Sequence, residues 1–544
     1  MSARRLRGTD TRRGLAHAQL GALLSGLVYP LLFPPFDLPG LSWIALLPLV
    51  AGLANVGALG AASAGFVFGL TATLGVIGWV ASTVHQYFGL DLGSTVAFSV
   101  LIGCSAAAPF FAVTFSAYAS SLRHLPRAAR PLLFAAAWVA AEYARTEIGL
   151  QSPWARLGDA HAGSAWLRQI ADVTGVYGVS GLVALGNATA FEMLAALARA
   201  GSRRTRAARV ARVSASFAAL WTVTCSYGAL ALERWGDRPE LFRVAIVQGN
   251  VEPELRWRRD AASKVMQRYT RLTREALRSS DAEPIDLIVW PENAIQTPLD
   301  DPVYGAAIRA LARGGPALLL GAPRFEREPA GMRSFNSAHL VRSDGSSEHY
   351  DKRRLVPFSE TRPLAGFLAF ARLGDLDVAE FTPGREPGLF ALGDVRLGVL
   401  ICLEALYPEL ARELAWGGAQ AIVNLSNDGW YQGHGGSEQH LAQVIFRAVE
   451  TRLPLVRSTP TGISTIVSPD GTIQARLEQD AMGVLKAAVP RGTDRPTVYT
   501  RCGDVFAIGC ASLSLGSLVW AQLQRFRLLR PDRLAEPASN GEAV

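Results

Sequence analysis

The sequence predicts two kinds of structure in one chain: a multispan α-helical membrane domain with eight spans, and an α/β sandwich inserted before the last span. Composition is the first reason, because 49% of the 544 residues are hydrophobic, only 18% are charged, and the mean hydropathy is +0.19. The second reason is a series of apolar runs, most of them near the ~20 residues that a helical span needs. The third is a long polar segment in which helical and β patterns alternate.

Eight apolar runs define the predicted spans. They are Leu15–Phe33, Leu41–Val56, Ala58–Ala81, Thr95–Tyr118, Pro131–Ile148, Val173–Leu197, Val210–Leu232 and Val505–Leu523. The basic stretch at residues 4–13 followed by an apolar run is typical of a signal peptide, but no small-residue cleavage site follows, so we predict an uncleaved first span. The predicted domains are seven helices over residues 1–235, an α/β sandwich over 240–490, an eighth helix over 503–524 and a cytoplasmic tail over 525–544.

The arginines predict the orientation of these spans. Arginine-rich stretches at residues 4–13, 123–130, 203–212 and 525–533 occupy alternate ends of the apolar runs, so that an even number of runs separates each stretch from the next. Cytoplasmic loops carry an excess of Lys and Arg, so all four stretches are assigned to the cytoplasm. The sandwich then lies on the far side of the membrane. The same distribution argues against nucleic acid as the partner behind the net charge of +8, because the cations sit in loops rather than on one face.

The polar middle segment has the pattern of an α/β domain. Strands are predicted at Leu241–Gln248, Ile285–Trp290, Pro316–Gly321, Ser337–Arg342, Glu348–Lys352, Val395–Ile401, Ala421–Leu425, Gly462–Ser468 and Ile473–Leu477, and helices at Ala261–Leu277, Tyr304–Arg313 and Gln439–Arg452. The five cysteines have no metal-like spacing and imply no disulfide framework. No metal site is therefore expected.

Three residues stand just past the ends of predicted strands. Cys402 follows the run Val395–Ile401, where a helix is predicted to open, and the positive end of a helix dipole favours a thiolate. Glu292 follows a strand stopped by Pro291, and Lys352 ends another. A lone buried cysteine is more often a core residue, and Glu and Lys are mostly surface charges. Groups at the ends of neighbouring strands can nevertheless meet at one rim of a sheet.

These residues lie in motifs that resemble the nitrilase superfamily. The motifs are Trp-Pro-Glu-Asn at 290–293, Tyr-Asp-Lys-Arg-Arg-Leu-Val-Pro-Phe at 350–358 and Ile-Cys-Leu-Glu at 401–404. Placed between seven spans and an eighth, they resemble the apolipoprotein N-acyltransferase family in particular. Further similar stretches are Phe33–Phe36, Val247–Asn250 with Trp257 after it, Phe358–Glu360, Asn424–Asp428 and Gln439–Leu441.

The resemblance implies an αββα sandwich with a Glu-Lys-Cys triad. Cys402 would be the nucleophile, Glu292 the general base and Lys352 the cation that stabilises the oxyanion. Trp257, Glu360 and Glu404 match positions used around the site. Leu403 stands where many members carry Tyr, so only its backbone N–H is expected to serve the oxyanion.

The implied reaction is a two-step acyl transfer without cofactor at the outer face of the bacterial inner membrane. The expected donor is a phospholipid, the acceptor is the α-amine of the diacylglyceryl-cysteine of an apolipoprotein, and the protein is expected to be a monomer. The apolar stretch at residues 363–371 suggests a lid that admits acyl chains, although a core helix fits it equally well. A membrane-tethered amidohydrolase remains open, as does a multispan transporter with an inactive sandwich.

Overall fold

A computed structural model describes residues 2–87, 89–235, 238–251, 261–278, 284–329, 331–361, 380–431 and 435–528. Side chains are described within these ranges except at residues 2–11, 87 and 525–528. The chain forms a helical bundle and an α/β sandwich, and the last long helix returns from the sandwich to the bundle.

The bundle is built from eleven helices before the sandwich and one after it, within the described ranges. They are α1 (Ser2–Val28), α2 (Leu47–Leu53), α3 (Ala58–Val76), α4 (Gly78–Tyr87), α5 (Leu92–Ala106), α6 (Ala108–Ser121), α7 (Arg130–Glu147), α8 (Ala165–Arg168), α9 (Ala171–Thr174), α10 (Val176–Ala198), α11 (Arg203–Trp235) and, after the sandwich, α17 (Val505–Leu528). Helix α7 packs against α6, α10 and α17, which places it inside the bundle.

The predicted count of eight spans is not supported. Six stretches of the described residues are long and apolar enough to cross a membrane: Arg12–Leu32, Ala58–Val76, Leu92–Ser121, Val176–Ala198, Arg203–Trp235 and Val505–Gln524. The predicted span Leu41–Val56 forms only a short apolar stretch, Pro39–Leu53. The predicted span Pro131–Ile148 is interrupted by charge, because α7 carries two arginines and two glutamates.

Two six-stranded sheets form the sandwich. The strands are β1 (Glu240–Gln248), β2 (Leu287–Val289), β3 (Ala317–Glu328), β4 (Gly331–Val341), β5 (Ser347–Asp351), β6 (Leu389–Leu392), β7 (Val395–Ile401), β8 (Ala421–Leu425), β9 (Leu455–Ser458), β10 (Ser464–Val467), β11 (Ile473–Leu477) and β12 (Gly483–Pro490). One sheet has the order β12-β1-β2-β3-β4-β5 and the other β11-β10-β9-β8-β7-β6. In both, three central strands run parallel (β1, β2 and β3; β7, β8 and β9).

Helices cover the outer face of each sheet, as the αββα expectation requires. The helices are α12 (Ala261–Arg278), α13 (Tyr304–Ala312), α14 (Pro408–Trp416), α15 (Gly436–Thr451) and the short α16 (Val498–Cys502). A buried apolar cluster fills the space between the sheets. A second cluster joins the first sheet to α12 and α13. The largest cluster joins α14 and α15 to the bundle, so the second sheet is the one that docks on the membrane domain.

Candidate active site

Glu292 lies just beyond the carboxyl end of β2. The carboxylate is buried, with 4% of the residue exposed. Pro291 ends the strand because it has no N–H to donate to the ladder. Gly321 of the neighbouring β3 leaves room for the turn, since a Cβ there would lie 2.5 Å from the Asn293 nitrogen. The turn therefore packs against β3 and holds Glu292 at the rim.

Lys352 follows β5 and brings its ammonium to the same rim. Its Nζ lies 3.1 Å from Glu292 Oε1 and 3.0 Å from Glu360 Oε1, and the residue is 1% exposed. Asn336 of β4 donates from Nδ2 to both carboxylates, at 2.8 Å each. One cation and one amide therefore hold two carboxylates together out of water.

The electrostatics keep this lysine charged. Burial by itself would lower the pKa of Lys352, but Glu292 and Glu360 outweigh burial and raise that pKa well above its usual range. A buried ammonium of this kind is a fixed positive charge rather than a base.

Cys402 lies at the end of β7, in a strained turn. Its backbone φ is +55°, in the left-handed region that non-glycine residues rarely adopt. Such strain of about 1–3 kcal/mol persists where the surroundings determine the conformation. Asn424 of β8 contributes to this, because its Nδ2 donates to the carbonyl oxygen of Cys402 at 3.2 Å.

The prediction that a helix dipole activates Cys402 is wrong. Only a short 3₁₀ turn, Cys402–Leu406, follows the strand, and α14 begins later at Pro408. Burial, followed by the Glu292 carboxylate, raises the pKa of the thiol to about 12, although Lys352 and the Asn427 N–H oppose that rise. Cys402 therefore rests as a neutral thiol, and a base would have to remove its proton before the sulfur could act as a nucleophile.

The arrangement combines the parts that attack on an acyl carbon requires. Glu292, Lys352 and Cys402 interact electrostatically with one another, as expected for groups that share one small site. The carboxylate can accept the thiol proton, and the ammonium can stabilise an oxyanion. No group of acidic, His or Cys side chains among the described residues could hold a metal ion.

Two protein-family descriptions match separate parts of this chain. Residues 243–499 match the family "Carbon-nitrogen hydrolase", and residues 25–189 match "Apolipoprotein N-acyltransferase N-terminal domain". The Apolipoprotein N-acyltransferase of Geobacter metallireducens is 34% identical over 519 residues, covering 94% of this chain and 96% of its own length. That of Caulobacter vibrioides is 32% identical, covering 89% and 91% respectively.

The chain belongs to the apolipoprotein N-acyltransferase family. Among solved structures, Saccharomyces cerevisiae Nit3, a member of branch 10 of the nitrilase superfamily, is similar at 19% identity and a TM-score of 0.36, covering 46% of this chain and 91% of Nit3. The sandwich is the carbon-nitrogen hydrolase part of this family member, and the bundle includes the N-terminal family domain.

Of the remaining residues expected from the family, Glu404 is fully buried. Its carboxylate accepts hydrogen bonds from the Tyr350 hydroxyl at 2.8 Å and from the backbone N–H groups of Ile401, Arg353 and Arg354 at 2.7, 2.7 and 3.1 Å. Burial raises the pKa of Glu404, and the backbone donors oppose that rise. In this family member Glu404 therefore ties the Lys352 segment to the Cys402 turn.

Three other expectations have different outcomes. The Leu403 side chain is half-buried and packs against apolar clusters, while the oxyanion role of its N–H stays a prediction. Trp257 and the apolar stretch at residues 363–371 lie outside the described residues.

An aromatic cluster that the sequence did not predict lies at the boundary with the bundle. The Tyr431 ring lies 4.6 Å from that of Trp79 and 5.5 Å from that of Trp154. Gln439 accepts from Trp154 Nε1 at 2.8 Å and donates to the Pro34 carbonyl at 2.6 Å. Gln439 and residues 33–36 lie in motifs similar to the family, but no pattern in the sequence indicates that they are in contact.

Buried charges of the bundle fasten the Trp154 loop. Glu142 Oε1 accepts from the Leu157 N–H at 2.6 Å, and Arg145 donates to the carbonyls of Trp154 and Ala155 at 2.8 and 3.1 Å. Together these two residues hold the loop that carries Trp154, which itself packs on Tyr431.

A second anchor lies at the far end of α15. Arg452 binds Asp172 of the bundle at 2.9 and 2.8 Å, and it donates to Gln169 Oε1 at 2.6 Å. Arg452 is 1% exposed. Both ends of α15 are thus fixed to the membrane domain.

Proposed function

We propose that this protein transfers an acyl chain from a phospholipid to the N-terminal α-amine of the diacylglyceryl-cysteine of apolipoproteins, through a thioester on Cys402. The observation that carries the proposal is the buried Glu292–Lys352–Glu360 cluster beside a strained Cys402, in a chain that belongs to this family.

In the first step Glu292 takes the proton from the Cys402 Sγ, and the sulfur attacks the ester carbonyl carbon of the phospholipid. The carbonyl π electrons move to the oxygen, where Lys352 and the Leu403 N–H stabilise the oxyanion. The oxyanion then collapses and the ester C–O bond breaks. Glu292 returns the proton to the departing oxygen, so a lysophospholipid leaves and the acyl group remains as a thioester.

In the second step the neutral α-amine of the acceptor attacks the thioester carbon. Glu292 accepts the proton that the amine nitrogen loses, the C–S bond breaks, and the sulfur regains that proton. The products are an amide and the free thiol. A cofactor is unnecessary, because the acyl group is activated first as an ester and then as a thioester.

Transfer to an amine rather than to water is supported by the placement of the site. Cys402 is only 5% exposed. Tyr431, which interacts electrostatically with Cys402 and Glu292, packs on Trp79 and Trp154 of the bundle. A buried site against a membrane domain favours lipid substrates over bulk water.

The proposed location is the periplasmic side of the bacterial inner membrane. Five of the six candidate spans precede the sandwich. An odd number of spans before the sandwich places it on the opposite side of the membrane from a cytoplasmic N-terminus. The eight-span count leads to the same side, because seven of its spans precede the sandwich. An exported lipoprotein presents its modified cysteine on that side. We further propose that the protein acts as a monomer.

The test is the mass of the intact protein after incubation with phospholipid of one defined acyl chain. We expect a single adduct of that acyl group on wild type and none on Cys402→Ser. The adduct should then disappear when a lipopeptide with a free α-amine is added. Turnover of the phospholipid with water alone would indicate a hydrolase rather than a transferase, and the absence of any adduct would favour a transporter.

A further inference from the structure

A tight loop at residues 356–361 follows the Lys352 segment. The Phe358 N–H donates to the Thr361 carbonyl at 2.9 Å, and the Glu360 N–H donates to the Val356 carbonyl at 2.9 Å. The Val356 N–H in turn donates to Glu360 Oε2 at 2.8 Å. Backbone and carboxylate therefore close one small unit, within which Phe358 and Glu360 are held at a fixed separation.

Phe358 is strained and points away from the sandwich. Its φ is +65°, which a bulky residue adopts only when its surroundings hold it there. The side chain packs with Val84 of α4 and Phe98 of α5, and the residue is 8% exposed. Its ring lies 5.2 Å from that of Phe98, at 83°. The bundle therefore supplies the contacts that hold this conformation.

The other end of the loop lies in the candidate active site. Glu360 Oε1 is 3.0 Å from Lys352 Nζ and accepts from Asn336 Nδ2 at 2.8 Å. The ring packed on α5 and the carboxylate that pairs with the lysine lie only two positions apart along the chain. A shift of the ring would move the carboxylate, since the loop is closed by its own hydrogen bonds.

We propose that Phe358 is a positioning residue: its docking between α4 and α5 holds Glu360 against Lys352, so that the charge arrangement of the sandwich depends on the membrane bundle. This inference rests on the proposed function. It assigns a role in the reaction to helices that contribute no group to the triad.

The alternative is that Phe358 only fastens the sandwich to the bundle, with no action through Glu360. The two hypotheses differ in a double-mutant cycle, because a residue that acts through Glu360 loses its effect once Glu360 has been changed. The quantity to measure is the single-turnover rate of Cys402 acylation by phospholipid, followed by mass, together with the KM for phospholipid.

We expect Phe358→Ala to slow acylation by about 10- to 100-fold, with KM changed less than about twofold, since small displacements of active-site groups cost factors of this size. Phe358→Leu should recover most of the rate because it refills the apolar pocket. Phe98→Ala should reproduce the loss from the bundle side. In the Glu360→Gln background, Phe358→Ala should slow acylation by less than about threefold.

The matched control is Phe115→Ala, which removes a fully buried bundle aromatic that stacks on Phe134. It should lower thermal stability and leave the rate per folded molecule unchanged. An equal loss from Phe358→Ala in the wild-type and Glu360→Gln backgrounds would overturn the inference, as would an unchanged rate in Phe98→Ala. If Phe358→Ala does not fold, the same comparison is made with Phe98→Ala, whose effect on the acylation rate is measured in the wild-type and Glu360→Gln backgrounds. Failure of the proposed function would look different, because wild type itself would form no adduct.

Discussion

Replacing Glu292 by Gln should prevent acylation of Cys402 at neutral pH. The Gln side chain keeps an oxygen that can accept from Lys352 Nζ and Asn336 Nδ2, now 3.1 and 2.8 Å from Glu292 Oε1, so the fold should survive. Lys352 also keeps its pairing with Glu360 at 3.0 Å. The change therefore removes the base with little loss of structure.

The expected loss of acylation rate in Glu292→Gln depends on the pKa of the Cys402 thiol. With a pKa of about 12, Cys402 is thiolate in only about one molecule in 10⁵ at pH 7. Removing the Glu292 charge also lowers that pKa, because this carboxylate is the second cause of its rise. The two effects oppose each other, so we expect a loss of about 10²–10⁴-fold, the usual contribution of a general base.

The pH dependence gives the sharper test. In Glu292→Gln the acylation rate should rise about tenfold per pH unit on the alkaline side, because hydroxide replaces the missing base. Rapid mixing with phospholipid and intact mass at each pH measures this rate, and Glu413→Gln, which changes an exposed carboxylate paired with Arg353, serves as the control. Acylation by Glu292→Gln at the wild-type rate, or a flat profile, would refute the base assignment and make Glu360 the next candidate.

Three further outcomes are expected. Lys352→Met should cost about 3–5 kcal/mol of stability by leaving two buried carboxylates without their cation, and an unchanged thermal midpoint would contradict this. Burial raises the pKa of Glu450 to about 7 from 4.5, although Arg447 opposes it. The contribution of Glu450 to the free energy of unfolding should be fully present below pH 4.5 and should fall by about 3 kcal/mol as the pH rises to 7. In Glu450→Gln the melting temperature should therefore depend less on pH over that range. A reporter that is active only outside the cytoplasm should be active when fused after Arg238 and silent when fused after Arg206. The same reporter fused within residues 122–129 should be silent if the protein has eight spans and active if it has six.

The strand ends were predictable because their signals are local. Short apolar runs predicted β2, β7 and β8 to within about two residues, and Glu292 and Cys402 do lie at strand ends. The long hairpin of β3 and β4 was predicted too short, because its outer half is polar and pairs through backbone rather than through an apolar pattern.

By itself the sequence determined the architecture, an apolar helical domain with an inserted sandwich, and the three residues that could form a triad. Composition, periodicity and motifs carry that information because each depends only on neighbours along the chain. The protonation state of Cys402 was decided by tertiary structure, since burial and the Glu292 carboxylate outweigh the opposing effects of Lys352 and the Asn427 N–H. Tertiary structure also decided three contacts between residues more than 200 positions apart: Phe358 with Phe98, Tyr431 with Trp79, and Arg452 with Asp172. Such contacts depend on how the sandwich packs on the bundle, and no pattern along the chain encodes that packing.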